Sequence, residues 1–264
     1  HIITNETAIY VDDIDGIHVF NNNIQSNIGI AVLDSKEIHI FENDISVSKT
    51  GIEVSNSEGN ITDNLIRGNC KTDNCDVVYF TNVGESGIKI LSLSDIKAKG
   101  NVVESFNILV NSTNSAISLM ENYLDYANTG IHIKGGESSE IHENEISNSS
   151  TLIKSIDSEN IEIYDNNFSN FGKAYFSTNS TSNLLTNYYD EGQVCLEFID
   201  STYSVANFDN FDCTEAFLYE KFNLNVNILT DDQVPSPNHQ FYYYNEFNLD
   251  KEYSQTNTDG LSNY

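Results

Sequence analysis

The chain of 264 residues carries 40 Asp and Glu against 12 Lys and Arg, a formal net charge of −28. So few cations exclude a nucleic-acid binder or a protein held on an anionic membrane surface, and they oppose tight capture of acidic polysaccharides. Hydrophobic residues make up 39%, low for a globular fold. Ile, Val, Leu and Phe are nevertheless too frequent for disorder, and the length fits one large all-β domain or two small ones.

No apolar run reaches the roughly 18 residues of a membrane-spanning helix, so no membrane insertion is expected. The sequence opens on His1 rather than Met and its start does not read as a signal peptide, which predicts a processed or trimmed form.

Strand openers of the type Gly-Ile-x-Ile follow in chain order: "AIYV" from Ala8, "GIAV" from Gly29, "GIEV" from Gly51, "GIKI" from Gly87 and "GIHI" from Gly130. Looser versions begin at Asn107, Thr151, Lys173, Gln193 and Glu215. Spacings are mostly 20 to 22 residues, but Gly51 and Gly87 are 36 apart, across "GNCKTDNCDVVYFTNVGES". An irregular coil or insertion is therefore predicted over about 55–86.

A second marker is an asparagine column. Asn22, Asn43, Asn64, Asn101, Asn122, Asn144, Asn166 and Asn187 are separated by 21, 21, 37, 21, 22, 22 and 21 residues. Two positions after each stands an apolar residue: Ile24, Ile45, Ile66, Val103, Leu124, Ile146, Phe168 and Tyr189. Alternation with period two is strand periodicity, and Pro is absent before Pro235, as a backbone engaged in ladders requires.

A short strand, a turn, a second short strand and a turn, closing after about one such period, make one coil of a solenoid, and coils stack at roughly 4.8 Å. Equivalent residues then lie above one another. Each column Asn is expected to occupy the left-handed backbone of a tight bend and to hydrogen-bond along the axis as a ladder. Ile38, Ile40, Ile45, Ile131, Ile133, Ile161 and Ile163 should face the core, with His39, His132 and Glu162 outward.

The openers and the Asn-x-Ile turns resemble the right-handed parallel β-helix repeat superfamily over about residues 8–228. It includes pectate-lyase-like enzymes, periplasmic β-helix proteins linked to copper delivery, and many archaeal cell-surface proteins. The resemblance implies an all-β, right-handed parallel β-helix of about 9–10 coils, the hand agreeing with the crossover rule. It implies little about function.

After about Ile228 the period fails. Residues 229–264 hold both prolines and the run "FYYYNEF". This segment reads as a C-terminal cap over the last coil, or as an arm docking on a neighbouring subunit through aromatic anchors. Residues 1–7 are too short to cap the first coil. Ile2, Ile3 and Val11, with Phe241, Tyr242, Tyr243, Tyr244 and Phe247, are therefore expected at contacts between subunits. The net charge opposes lateral packing unless cations screen it, so assembly should weaken in low salt or with chelator.

Catalytic residues are not expected. A β-helix lyase needs an Arg or Lys base beside calcium-holding carboxylates, and Arg67 is the only Arg. Gly-His-Gly and Arg-Ile-Lys runs of the hydrolase type are missing. Asp12, Asp13 and Asp15 read as a solvated bend or a weak Ca2+ site, and Asp231 with Asp232 likewise. His18 and His39 should stack one coil apart and could start a copper or zinc site, but Asn60 and Lys97 continue the column, so no metal site is expected there. His132 and His142 lie in another coil.

Cys70 and Cys75 flank a turn, and Cys195 and Cys213 lie just under one period apart. Two disulfides fit better than a shared zinc site and imply an oxidising, extracytoplasmic setting; reduced buried thiols are the alternative. The Asn-x-Ser/Thr sequons at Asn5, Asn60, Asn111, Asn148, Asn167 and Asn179 are no more numerous than chance placement gives in so Asn- and Ser-rich a chain.

Two function classes remain. One is a structural, self-assembling extracellular solenoid forming a surface layer, sheath or filament, a composition that resembles envelope proteins of some methanogenic archaea. The other is a carbohydrate-active or carbohydrate-binding β-helix with its site on one outward strand face.

Overall fold

The computed structural model describes residues 1–68, 84–206, 211–221, 225–227, 240–244, 251–255 and 261–263. Two compact units divide the chain, His1–Tyr219 and Glu220–Tyr264.

The first unit is a parallel β-solenoid of about nine turns. One wall stacks the short strands His18–Phe20, Ile38–Phe41, Glu58–Thr62, Asp95–Lys99, Ala116–Met120, Glu140–His142, Ile161–Tyr164, Thr181–Leu185 and Thr202–Ala206. The other stacks Thr7–Asp12, Asn23–Leu33, Asp44–Ser55, Val102–Thr113, Tyr123–Lys134, Glu145–Ile156, Asn167–Thr178, Tyr188–Ile199 and Phe211–Lys221. Pairings such as Ile131 with Ile153 and Ile40 with Ile61 are parallel and place each residue beside its equivalent.

The second strand of a coil is longer than the sequence pattern predicts. Tyr123–Lys134 runs 12 residues where the pattern predicts a short strand. It holds together because it bends at one residue in the left-handed region instead of breaking into two. Ser105, Tyr126, Asn148, Asn170 and Glu191 occupy this bend in successive coils, with φ between 49° and 64°. Leu65–Gly68 and Gly84–Leu91 share one level of this wall, both pairing with Asp44–Ser55 and with Val102–Thr113. Glu58–Thr62 keeps the coil register on both sides, so the extra length falls after Gly68.

Between the walls runs a continuous core. Ile38, Ile40, Ile45, Ile131, Ile133, Ile161 and Ile163 are fully buried. His39 and His132 are half-buried on the outer side and Glu162 is exposed, the alternation that period two predicts. Gly51 belongs to a column with little room between adjacent strands of its own wall: a Cβ there would lie 2.3 Å from Ile66 Cγ2 and 2.5 Å from the Gly87 carbonyl oxygen.

The second unit contains two antiparallel pairs, Asn225–Asn227 with Leu261–Asn263 and Gln240–Tyr244 with Lys251–Gln255. Phe241, Tyr242, Tyr243 and Tyr244 thus lie in a strand, while Phe247, Asp231 and Asp232 fall outside the described residues.

Candidate functional site

The asparagine column is a ladder, but its backbone differs from the expectation. The left-handed position belongs to the residue before each ladder Asn: Asn21, Glu42, Asp63, Gly100, Glu121, Glu143, Asp165 and Thr186. The ladder Asn is selected by its side-chain amide instead. Asn64 Nδ2 donates to Asn101 Oδ1 at 3.0 Å, to the Ile40 carbonyl at 2.9 Å and to the Thr62 carbonyl at 2.9 Å, while its backbone N–H donates to the same Asn101 Oδ1 at 3.0 Å. The pattern repeats from Asn22 to Asn187, and every turn finds donors and acceptors in the next coil.

A second ladder, unforeseen from the sequence, lines the opposite corner. Ser35, Ser57, Ser94 and Ser115, then Ser158, Ser180 and Ser201, accept backbone N–H bonds from the preceding coil. Most of their hydroxyls also donate to the carbonyl two residues earlier, as Ser57 does to Ser55 at 2.8 Å. These ladders fix the framework. Function must lie on what projects from it.

On the short-strand face, His18 and His39 lie one coil apart with ring centroids 4.8 Å apart and planes tilted by 36°, and Phe20 lies parallel on Phe41 at 4.9 Å. The histidine column continues through Asn60 and Lys97, as expected. His142 stacks on Tyr164 at 4.7 Å, and its other register neighbour is Met120. Asp12, Asp13 and Asp15 do not converge. Asp12 accepts the Tyr10 hydroxyl, Asp13 takes a left-handed bend, and Asp15 accepts the Lys36 backbone N–H.

On the long-strand face, His132 is flanked by Asn111 and Lys154 from the adjacent coils. Burial first, then Lys154 and Lys134, hold its pKa below the ordinary histidine value. Near the bend column lies an open groove of about 1070 Å³, lined among others by Tyr126, Asn148, Asn170, Lys173, Glu191 and Gln193.

Cys195 is bonded to Cys213, with Cα atoms 5.8 Å apart. Cys70 and Cys75 lie outside the described residues.

The model of the periplasmic copper-binding protein family, NosD, matches residues 1–208, most of the solenoid. The chain belongs to the NosD family. No curated protein matches it. Among solved structures it is similar to a trypsin-treated variant of QnrB1, a plasmid-mediated fluoroquinolone resistance protein, at 10% identity over 81% of this chain and 91% of that one. The TM-score is 0.29, and this likeness carries no argument.

The family's printed description names copper, which calls for several converging nitrogen or sulfur donors. Among the described residues no three His, Cys, Asp or Glu side chains come together to hold an ion. Among the described residues no third His, Cys, Asp or Glu joins the His18–His39 pair, and Cys195 is consumed by its disulfide. The donor set of the described residues does not fit a resident copper ion.

Proposed function

We propose that this NosD-family chain is an extracytoplasmic, non-catalytic β-helix scaffold that assembles with copies of itself through its first coil, as a surface layer, sheath or filament requires. One observation carries the reading. Of seven large hydrophobic side chains exposed among the described residues, four sit in the first coil: Ile3 (67%), Tyr10 (60%), Ile14 (51%) and Phe20 (49%). Exposed apolar side chains gathered on one surface mark a site of contact with another molecule. The Cys195–Cys213 disulfide and the family's periplasmic description support an oxidising compartment.

Sedimentation velocity of the full chain across a concentration series tests this. Association that the Ile3→Glu, Tyr10→Glu double variant abolishes, with the fold intact by circular dichroism, supports first-coil contact between copies. A wild-type chain that stays monomeric, or a variant that associates unchanged, refutes it.

The groove favours a second reading. Asn148, Ser150, Thr151, Asn170 and Gln193 offer amides and hydroxyls beside Tyr126 and Phe171, the chemistry that holds sugar hydroxyls against an aromatic surface. Isothermal titration with neutral oligosaccharides separates the two: saturable binding lost in Asn148→Ala and Gln193→Ala supports carbohydrate binding, and no heat counts against it.

A further inference from the structure

The two outward faces of the solenoid differ in charge within the same coils. On the long-strand face, Asn111, His132, Lys154 and Phe176 are register partners in successive coils and form one outward column. Lys134 stands beside them, two residues beyond His132 and exposed. Elsewhere on this face cations are matched: Lys89 pairs with Glu53, and Lys173 with Glu197. Lys134 and Lys154 have no ion pair among the described residues, and Lys154 lies 5.7 Å over the Phe176 ring. Two further atoms of this strip, Asn111 Oδ1 and His132 Nε2, are buried without a hydrogen-bond partner. Buried polar atoms are rarely left so.

On the short-strand face the sign reverses. Glu140 and Glu162 are register partners, both exposed, with exposed Glu121, Glu143 and Asp165 in the adjoining turns. Tyr164 feels this field: its pKa is raised by burial first and then by Glu140, Glu162, Glu143 and Asp165. Lys99 is paired with Glu121, which leaves Glu140 and Glu162 without a cation among the described residues.

We propose that these strips are the two halves of one lateral contact, the Lys134–His132–Lys154 strip of one molecule packing against the Glu140–Glu162 strip of a second copy with the axes parallel. The inference rests on the self-assembly reading above and adds a side-to-side surface to the first-coil contact. Geometry favours this occupant over a flexible anion. Glu140 and Glu162 repeat at the strand spacing of about 4.8 Å, and Lys134 and Lys154 stand in adjacent coils offset by two residues along the strand, an offset that the long lysine side chains span. Each cation then has a carboxylate within reach. The contact is heterologous: a pair of molecules keeps one unused strip of each sign, so it propagates into rows instead of closing as a dimer. It also answers how a chain of net charge −28 can pack sideways. Overall repulsion is screened beyond the Debye length of about 8 Å at physiological ionic strength, whereas ion pairs in contact are screened far less. Lateral association should therefore peak at intermediate salt, being weakened by net repulsion below it and by loss of the pairs above it.

Charge reversal tests the contact on the full chain by sedimentation velocity across a salt series. Lys134→Glu with Lys154→Glu, and separately Glu140→Lys with Glu162→Lys, should each raise the dissociation constant about tenfold or more, since like charges then face each other. Mixing the two reversed proteins should restore association, because each supplies the strip the other has lost. The milder Lys134→Gln, Lys154→Gln pair should weaken association in the same direction and guards against a folding defect in the reversed forms. Reversed variants that associate like wild type, while Ile3→Glu with Tyr10→Glu abolishes assembly, overturn the lateral contact and leave the first-coil contact standing. Loss of assembly on reversal, with the Ile3 and Tyr10 variant unaffected, supports the lateral contact and removes the first-coil one. Wild-type protein that is monomeric at every salt concentration overturns both. If monomeric wild type binds polygalacturonate and the Lys variants do not, the strip serves an anionic polymer and the second copy is the wrong occupant.

Discussion

Asn43 donates both its backbone N–H and its side-chain Nδ2 to a single atom, Oδ1 of Asn64 in the next coil, at 3.0 and 2.9 Å. One side chain thereby satisfies two donors at a buried turn, and the arrangement recurs coil after coil. Substituting an interior member such as Asn64→Ala strands the Asn43 backbone N–H and removes the Nδ2 bonds to Asn101, Ile40 and Thr62. With each buried unsatisfied group costing about 1–3 kcal/mol, the loss should be roughly 2–5 kcal/mol. Asn22→Ala at the ladder's end, where the residue is half-buried, should cost clearly less. Urea denaturation of both variants checks this, and equal losses would deny the ladder its cooperative role.

The asparagine column was legible because one residue type recurs at constant spacing with an apolar partner two positions on. What the spacing could not say was which residue bends the backbone. The bend residues include Glu42, Glu121, Glu143 and Thr186, which have little left-handed preference of their own, because the geometry is imposed by the hydrogen bonds of the neighbouring Asn. The serine ladder was hidden for a different reason. Serine is common throughout the chain, and Gly136 donates to Ser158 where a serine would continue the column, so no unbroken run stood out. The basic and acidic strips emerge only from the residue-by-residue register of adjacent coils, which places His132 between Asn111 and Lys154.

The disulfide ties Tyr188–Ile199 to Phe211–Lys221 across a sequence separation of 18. Closing a loop of that order stabilises by about 3 kcal/mol in the chain-entropy account. Its benefit should be local, since coils of a solenoid contact chiefly their neighbours. Reduction, or Cys213→Ser, should expose Phe211–Lys221 to proteolysis while leaving the first coils protected. Limited proteolysis with mass mapping reads this directly, and early cleavage near Gly51 on reduction would contradict it.

His132 makes a pH-dependent contribution whose sign is fixed by its surroundings. Burial first, then Lys154 and Lys134, lower its pKa from 6.5. Below that value the unfolded chain takes up a proton the folded chain resists, so the unfolded state binds more protons and stability falls as pH drops from 6.5 toward the folded pKa. Above pH 6.5 both states are neutral at this residue and its effect vanishes. His132→Gln should therefore lose less stability than wild type between about pH 7 and about pH 5, the range in which histidine titrates. Urea midpoints of dilute protein at the two pH values decide it. A variant as acid-sensitive as wild type would show that carboxylates account for the whole slope.

The glycine of the "GIEV" opener is a packing requirement, not a conformational one. Gly51 has no left-handed φ, but its missing side chain lets the wall pass against its neighbours. A methyl group there would press on Ile66 Cγ2 at 2.3 Å and on the Gly87 carbonyl oxygen at 2.5 Å. The first contact can relax by a rotamer change; the second is backbone held in the ladder and cannot. Elsewhere in the same column Leu109, Leu152, Ala174 and Cys195 are buried, so later coils make room for a side chain that the coil of Gly51 lacks. Overpacking of this kind typically costs about 1–3 kcal/mol, and Gly51→Ala should fall near the upper end of that range. Gly16→Ala meets nothing within 4 Å but sits at φ +70°, so its cost is purely conformational, about 1–2 kcal/mol. Adding Ile66→Leu to Gly51→Ala removes the Cγ2 branch at the crowded point and should recover part of the loss, although Ile66→Leu alone perturbs a fully buried site. Denaturant titration of the four proteins gives the coupling, and strict additivity would mean that Gly51 and Ile66 do not share the space the geometry gives them.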